Sequence, residues 1–412
     1  MSQTAILLAG GKGTRLQSVV SDIPKPMAAI GPKPFLAFLL DALKFQGITR
    51  VILGVGYKSE VIIDYFGSEY EGMALFYSIE DTPLGTGGAI AQAMRLVEEE
   101  SAFVLNGDSF IDVNLEDMRV KGADFPFVMA IKKMYEFERY GTVTIVKDQV
   151  VSFNEKQPVK EGWINTGVYL IRKELLTTGF PDKFSFETDF MEAYVSKISF
   201  GVVQTSGFFI DIGIPEDYAL AQKILPNKIF QAISRHFDTS WTIFLDRDGV
   251  INQRRVGDYV KSIDELVFLP GALQAIKHFS KIFGRVIIVT NQQGIAKGLM
   301  SSEDVQQVHD FLRKQVEEIG GKIDGIYFCP DWAYKSPNCR KPHPNLALQA
   351  QKDFPNIDFR KSLMVGDMAS DIEFGQGLGM MTVWIRESPE LPFIRPVPSF
   401  WSPSLSELMG GE

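Results

Sequence analysis

Short runs of Ile, Val, Leu and Phe that stop abruptly in glycine, threonine or aspartate recur along these 412 residues, and they narrow the choice of fold sharply. Residues 5–8 lead into Ala9-Gly10-Gly11, and residues 103–105 lead into Asn106-Gly107-Asp108. Longer amphipathic stretches separate such runs, as expected for parallel strands joined by helices in an α/β fold. The pattern restarts after residue 240, where 241–245, 286–289 and 362–365 repeat it. A chain of this length exceeds one ordinary core, and no internal repeat relates its halves, so two different modules are expected. Residues 216–224 read as a helix that Pro226-Asn227 ends, and 228–240 read as a connecting helix or linker. The expected domains are therefore 1–226 and 241–412, with 227–240 between them.

A hydrophobic share of 45% and a charged share of 23% suit a globular protein. The net charge of -9 and the lack of clustered Lys and Arg exclude a nucleic-acid partner. No charged leader precedes the first apolar run and no run reaches membrane-spanning length, so a membrane partner is not expected either. Cys329 and Cys339 are the whole cysteine content, which argues against a disulfide scaffold and for a reducing, cytoplasmic compartment.

The first strand is followed by Gly10-Gly11-Lys12-Gly13-Thr14-Arg15. Backbone N–H groups of such a turn can close around phosphates while Arg15 adds charge, though the turn alone would equally serve a tight strand-to-helix connection. Pro24-Lys25-Pro26 then restricts where an ammonium can point. Leu84-Gly85-Thr86-Gly87-Gly88 offers a second glycine loop against which a planar base could lie. Asn106-Gly107-Asp108 ends a buried strand in an acid, where α/β sheets place ligands and metals.

Together these residues resemble the sugar-1-phosphate nucleotidyltransferase family over about residues 1–225. The resemblance implies a mixed-sheet, Rossmann-like domain in which Gly10, Gly11, Gly13, Thr14 and Arg15 hold a nucleoside triphosphate and Lys25 contacts its phosphates. It further implies Gly85 and Gly88 beside the base, and Asp108 and Asp211 as magnesium ligands. Glu155, Lys156, Asn165 and Thr166 fall on its sugar-phosphate side.

In the second half, the strand at 241–245 runs into Asp246-Arg247-Asp248-Gly249. Two carboxylates two residues apart can divide labour, one attacking phosphorus and the other protonating the leaving alcohol. Thr290-Asn291, Arg340-Lys341-Pro342 and Gly366-Asp367 through Asp371 follow in order, adding a hydroxyl and a cation for phosphate and acids for a metal. These four motifs resemble the haloacid dehalogenase-like phosphatases, whose sheet is parallel, over about residues 241–390. The resemblance implies that Asp246 is the nucleophile, Asp248 the general acid and then base, and Thr290 and Lys341 phosphate ligands. Magnesium would be held by Asp246, Asp367 and the main chain of Asp248, with Asp371 positioning the loop.

The closer resemblance is to the branch of heptose bisphosphate and histidinol phosphatases, in which Asn291 and Arg340 would face the substrate and Arg340 would read a remote phosphate. Members of that branch bind zinc through four Cys and His ligands, whereas Asp331 and Pro337 stand here at two of those places. No zinc is expected, and packing is expected to hold the loop from Cys329 to Cys339; a weak metal site that includes Asp331 stays open. His236, His278 and His309 lie in helical contexts without a partner motif and are assigned no chemistry.

Joined in one chain, the two resemblances imply that a heptose 1,7-bisphosphate loses its 7-phosphate and that the α-anomeric 1-phosphate is then coupled to a nucleotide. Family pairing makes GTP the donor. A hexose 1-phosphate such as mannose 1-phosphate, or a non-catalytic role for one half, stays open at this point.

Overall fold

The computed structural model describes residues 3–11, 16, 22–154, 158–176, 179–386 and 396–409. The chain divides into two compact units, Met1–Lys223 and Ile224–Glu412.

Among the described residues, the first unit is built on a ten-stranded sheet. Thr4–Leu8 pairs in parallel with Arg50–Val55 on one side and Ser101–Asn106 on the other, and Arg50–Val55 pairs in parallel with Met73–Ile79. The sheet turns antiparallel where Val159–Arg172 joins Ser101–Asn106 and then Phe127–Phe137. Parallel expectation from the apolar runs therefore holds for the part of the sheet around Thr4–Leu8, and the mixed sheet implied by the family resemblance holds for the whole. Phe127, Phe186, Phe190 and Phe200 pack in the core beneath the antiparallel part.

The second unit holds a six-stranded, wholly parallel sheet in the order Gly325–Cys329, Arg285–Asn291, Thr242–Leu245, Ser362–Gly366, Met381–Ile385, Phe400–Ser402. In chain order this is 3-2-1-4-5-6, the doubly wound arrangement, with its switch point between the first and fourth strands.

Two expectations are corrected. Pro226 does not end the helix: Pro215–Ser234 runs through it. Proline removes one N–H and crowds the preceding turn, but Leu225, Ile229, Phe230 and Ile233 are all buried, and that apolar face outweighs the local defect. The loop from Cys329 to Cys339 is not held by packing alone, because a disulfide joins the two sulfurs with the Cα atoms 5.4 Å apart.

Candidate active sites

In the first unit the strand order reverses between Thr4–Leu8 and Ser101–Asn106. Loops leaving the C-terminal ends of such neighbours diverge and open a crevice, and Gly10, Gly11, Asn106 and Asp108 line a cavity of ≈ 860 Å³. Lys25 is set by the single turn Lys25–Met27, whose Pro26 and Met27 are buried. Its Nζ donates to Asp108 Oδ2 at 2.6 Å and to Asp211 Oδ1 at 3.3 Å. The two acids meet because Phe209–Asp211 pairs antiparallel with Ser109–Ile111, and because the Ile212 N–H donates to the Asp108 carbonyl at 3.0 Å. Two carboxylates converging on one cationic nitrogen form an arrangement that a divalent metal fits.

Gly85 opens the helix Gly85–Met94 with φ 73°, and a Cβ there would lie 2.5 Å from the Phe184 carbonyl oxygen, so only glycine fits. It lines the cavity. Gly88 instead turns toward the Asp182 carbonyl, 2.2 Å from where its Cβ would stand, so it serves packing rather than the cavity wall. Glu80, which the sequence reading did not single out, lines the cavity near Gly10 and accepts the Leu84 N–H on Oε2 at 3.0 Å. Arg139 and Tyr140 were also missed; both line the cavity, and Arg139 Nη2 donates to Asp217 at 2.7 Å. Burial and the Asp211 charge push the Tyr140 hydroxyl up to about 12.

Asn165 and Thr166 reach the cavity as well. Asn165 Nδ2 donates to the Tyr169 hydroxyl at 2.7 Å, while the Thr166 hydroxyl is spent on the Ala130 carbonyl at 2.8 Å. Gly13, Thr14, Arg15, Glu155 and Lys156 lie outside the described residues.

In the second unit Asp246 follows the first strand and Asp367 the fourth, side by side at the switch point. Gly249, at φ 95°, lets the turn pass Asp367, whose Oδ2 would lie 2.0 Å from a Cβ. Lys341 is buried, and its Nζ donates to Asp246 Oδ1, Asp371 Oδ1 and the Val289 carbonyl, each at 2.7 Å. Asn291 clamps the Lys341 backbone, its Oδ1 accepting the Lys341 N–H at 3.0 Å. Thr290 is buried at the end of its strand, its hydroxyl accepting from Gln292 Nε2 at 2.9 Å. Arg340 Nη1 is buried and has no hydrogen-bond partner among the described residues.

Asp246, Asp367 and Asp371 bring one oxygen each within 4.8 Å of one another. Burial, with repulsion from neighbouring carboxylates, raises Asp246 against the pull of Lys341 and pushes Asp367 up to about 7. Arg254 Nη2 lies 2.6 Å from Asp367 Oδ1, 3.2 Å from the Asp248 carbonyl and 3.9 Å from Asp246 Oδ2. Three oxygens from two segments thus converge on one cation, and the crowded acids fit a divalent metal there. Asp248 behaves differently. Burial pushes it up, but Arg247, Asn252 and Gln292 outweigh that and hold its carboxyl below the ordinary value.

Residues 4–228 match the family described as Nucleotidyl transferase. The chain belongs to the nucleotidyl transferase family. Its transferase half is 48% identical over 216 residues to a D-glycero-alpha-D-manno-heptose 1-phosphate guanylyltransferase of Campylobacter jejuni, covering 52% of this chain and 96% of that protein. Crystallised HddC from Yersinia pseudotuberculosis, complexed with GMP-PN, is 38% identical and superposes with a TM-score of 0.49, covering 53% of this chain and 97% of the other. Beyond the transferase half, residues 338–389 match a family described as HAD-hydrolase-like. That half is also 41% identical over 138 residues to a D-glycero-alpha-D-manno-heptose-1,7-bisphosphate 7-phosphatase of Mycobacterium bovis, covering 34% of this chain and 73% of that protein. The second half of this nucleotidyl transferase therefore belongs with the heptose bisphosphate phosphatases.

Proposed function

We propose that the chain removes the 7-phosphate of D-glycero-α-D-manno-heptose 1,7-bisphosphate and transfers GMP from GTP to the resulting heptose 1-phosphate, releasing pyrophosphate and forming GDP-heptose. The assignment gives residues 1–226 to the transferase and 241–412 to the phosphatase. The observation that carries it is the presence in one chain of both constellations, Lys25 with Asp108 and Asp211, and Lys341 with Asp246 and Asp371. The relatives of the two halves are named for consecutive compounds that differ by one phosphate.

In the transferase, an oxygen of the sugar phosphate attacks the α-phosphorus of GTP in line with the departing pyrophosphate. This chemistry needs alignment and charge neutralisation more than a protein nucleophile. Lys25 supplies a fixed positive charge, and Gly10 and Gly11, with Gly13, Thr14 and Arg15, cradle the triphosphate. Asn165 and Thr166, with Glu155 and Lys156, take the sugar-phosphate side. Glu80 supports guanine: a carboxylate only accepts, and guanine presents N–H donors where adenine lacks the N2 amino group.

In the phosphatase, the Asp246 carboxylate attacks the phosphorus of the 7-phosphate while Thr290 and Lys341 hold its oxygens. Asp248 protonates the departing sugar hydroxyl, and then takes a proton from the water that opens the aspartyl phosphate. Arg340, with its orphaned Nη1, takes the remote phosphate. Asp108 with Asp211, and Asp246 with Asp367 and the Asp248 carbonyl, would hold magnesium, which would neutralise phosphoryl charge. A cytoplasmic location suits such substrates, although the Cys329–Cys339 disulfide removes the support that the cysteine content gave to a reducing compartment; among the described residues no helix is long and apolar enough to cross a membrane.

The test is to give the chain each anomer of the bisphosphate with magnesium and each of the four nucleoside triphosphates, and to follow products by mass spectrometry. GDP-heptose from the α-anomer is the expected result. Phosphate release without any nucleotide sugar would reject the transferase assignment, and no release at all would reject the heptose substrate.

A further inference from the structure

Arg247 is the most conspicuous polar group in the second unit's interior: its side chain is fully buried, although no mechanistic step uses it. A guanidinium is always charged and carries five N–H donors, so burial demands acceptors on every side. Asp248 supplies them on one side, accepting Nε at 3.2 Å and Nη2 at 3.0 and 2.9 Å. On the other side Nη1 lies 3.1 Å from His309 Nε2. An arginine nitrogen cannot accept, so His309 Nε2 carries a lone pair and the ring is neutral. Burial and the Arg247 charge push the ring's pKa down to about 3, in keeping with that assignment.

His309 sits on the buried face of the helix Ser302–Glu318, among Val305, Val308, Leu312 and Val316. Phe328 stands edge-on to its ring at 5.6 Å. Apolar packing thus seats the imidazole, the imidazole accepts from the guanidinium, and the guanidinium grips both oxygens of Asp248. We propose that His309 is a positioning residue for the phosphatase, acting through Arg247 to hold the Asp248 carboxyl where it meets the leaving hydroxyl. This rests on the phosphatase reading. In the assisted step the Asp246–phosphorus bond forms, the bond from phosphorus to the sugar oxygen breaks, and a proton that Asp248 takes up as the dianionic substrate binds passes to that oxygen; Arg247 fixes where the carboxyl stands, while its charge by itself favours the ionised form.

The test uses His309→Leu, which keeps an apolar filling without an acceptor, and His309→Gln, whose Oε1 can replace Nε2. In the full-length chain, kcat/KM is measured for the sugar bisphosphate and for p-nitrophenyl phosphate, whose phenolate leaves without needing a proton. General acid assistance is worth about 10²–10⁴-fold. His309→Leu is therefore expected to lower kcat/KM about 10-fold or more for the sugar bisphosphate, to affect the aryl ester far less, and to be largely rescued by His309→Gln. Mere loss of folding would lower both substrates together. Equal losses on both substrates, or His309→Gln as impaired as His309→Leu, would overturn the inference. Absence of phosphate release by the unaltered chain would overturn the phosphatase reading along with it, whereas release unchanged by His309→Leu would overturn this inference alone.

Discussion

His309 is kept neutral where an exposed histidine would titrate, and this has a cost in acid. Its ordinary value of 6.5 falls to about 3 in the fold. Between those values the unfolded chain binds a proton that the folded chain refuses, so stability is complete above 6.5 and is lost as pH falls through that window. One proton corresponds to about 1.4 kcal/mol per pH unit. Urea unfolding followed by tryptophan fluorescence suits the measurement, because Trp241, Trp332, Trp384 and Trp401 lie in the second unit and only Trp163 in the first. Between pH 6 and 4.5, His309→Gln is expected to show a shallower pH dependence than the unaltered chain, by close to one proton. An identical dependence would mean that the ring is protonated in the fold.

Elements carry these residues to their places. The helix bearing His309 starts with a reciprocal cap, the Ser301 hydroxyl accepting the Asp304 N–H at 3.0 Å and Asp304 Oδ2 accepting the Ser301 N–H at 2.8 Å. Ser301→Ala removes one half of that exchange and is expected to cost about 1 kcal/mol of stability in the second unit, read as a lower denaturation midpoint with unchanged slope. A midpoint within error of the unaltered chain would show that the buried apolar stripe alone sets the helix start. Strand ends were legible in the sequence because burial on both faces makes parallel strands read as continuous apolar runs. Asp108, Asp246, Thr290 and Asp367 were singled out because they stand at or just beyond such ends. The antiparallel strands Phe127–Phe137 and Val159–Arg172 were not, since each joins a buried run to exposed residues such as Lys133, Glu136, Lys160 and Glu161 and so gives neither a continuous apolar run nor a strict alternation along its length.

At the scale of the whole molecule, each site is lined by residues of its own unit. Substitutions that share no partners act independently. Asp246→Asn is accordingly expected to abolish phosphate release while heptose 1-phosphate, supplied directly, is still converted to GDP-heptose within about two-fold of the unaltered rate. Lys25→Ala is expected to do the reverse. Loss of both activities in either variant, with unchanged circular dichroism, would mean that the two units work as one.

What the sequence by itself determined is which residues stand within a few positions of a strand end: the glycine turn at Gly10, the lysine held between prolines, Asp246 with Asp248, and the strand-end acids Asp108 and Asp367. Such motifs are local because a turn and its side chains are fixed by neighbouring residues. Tertiary structure alone decided what meets across the chain. Glu80 at the cavity wall, Arg254 over the Asp246 and Asp367 carboxylates, the Cys329–Cys339 bond and the pairing of Arg247 with His309 all join segments that no local pattern connects. A buried donor must find an acceptor wherever the fold provides one, and that partner is set by packing rather than by spacing.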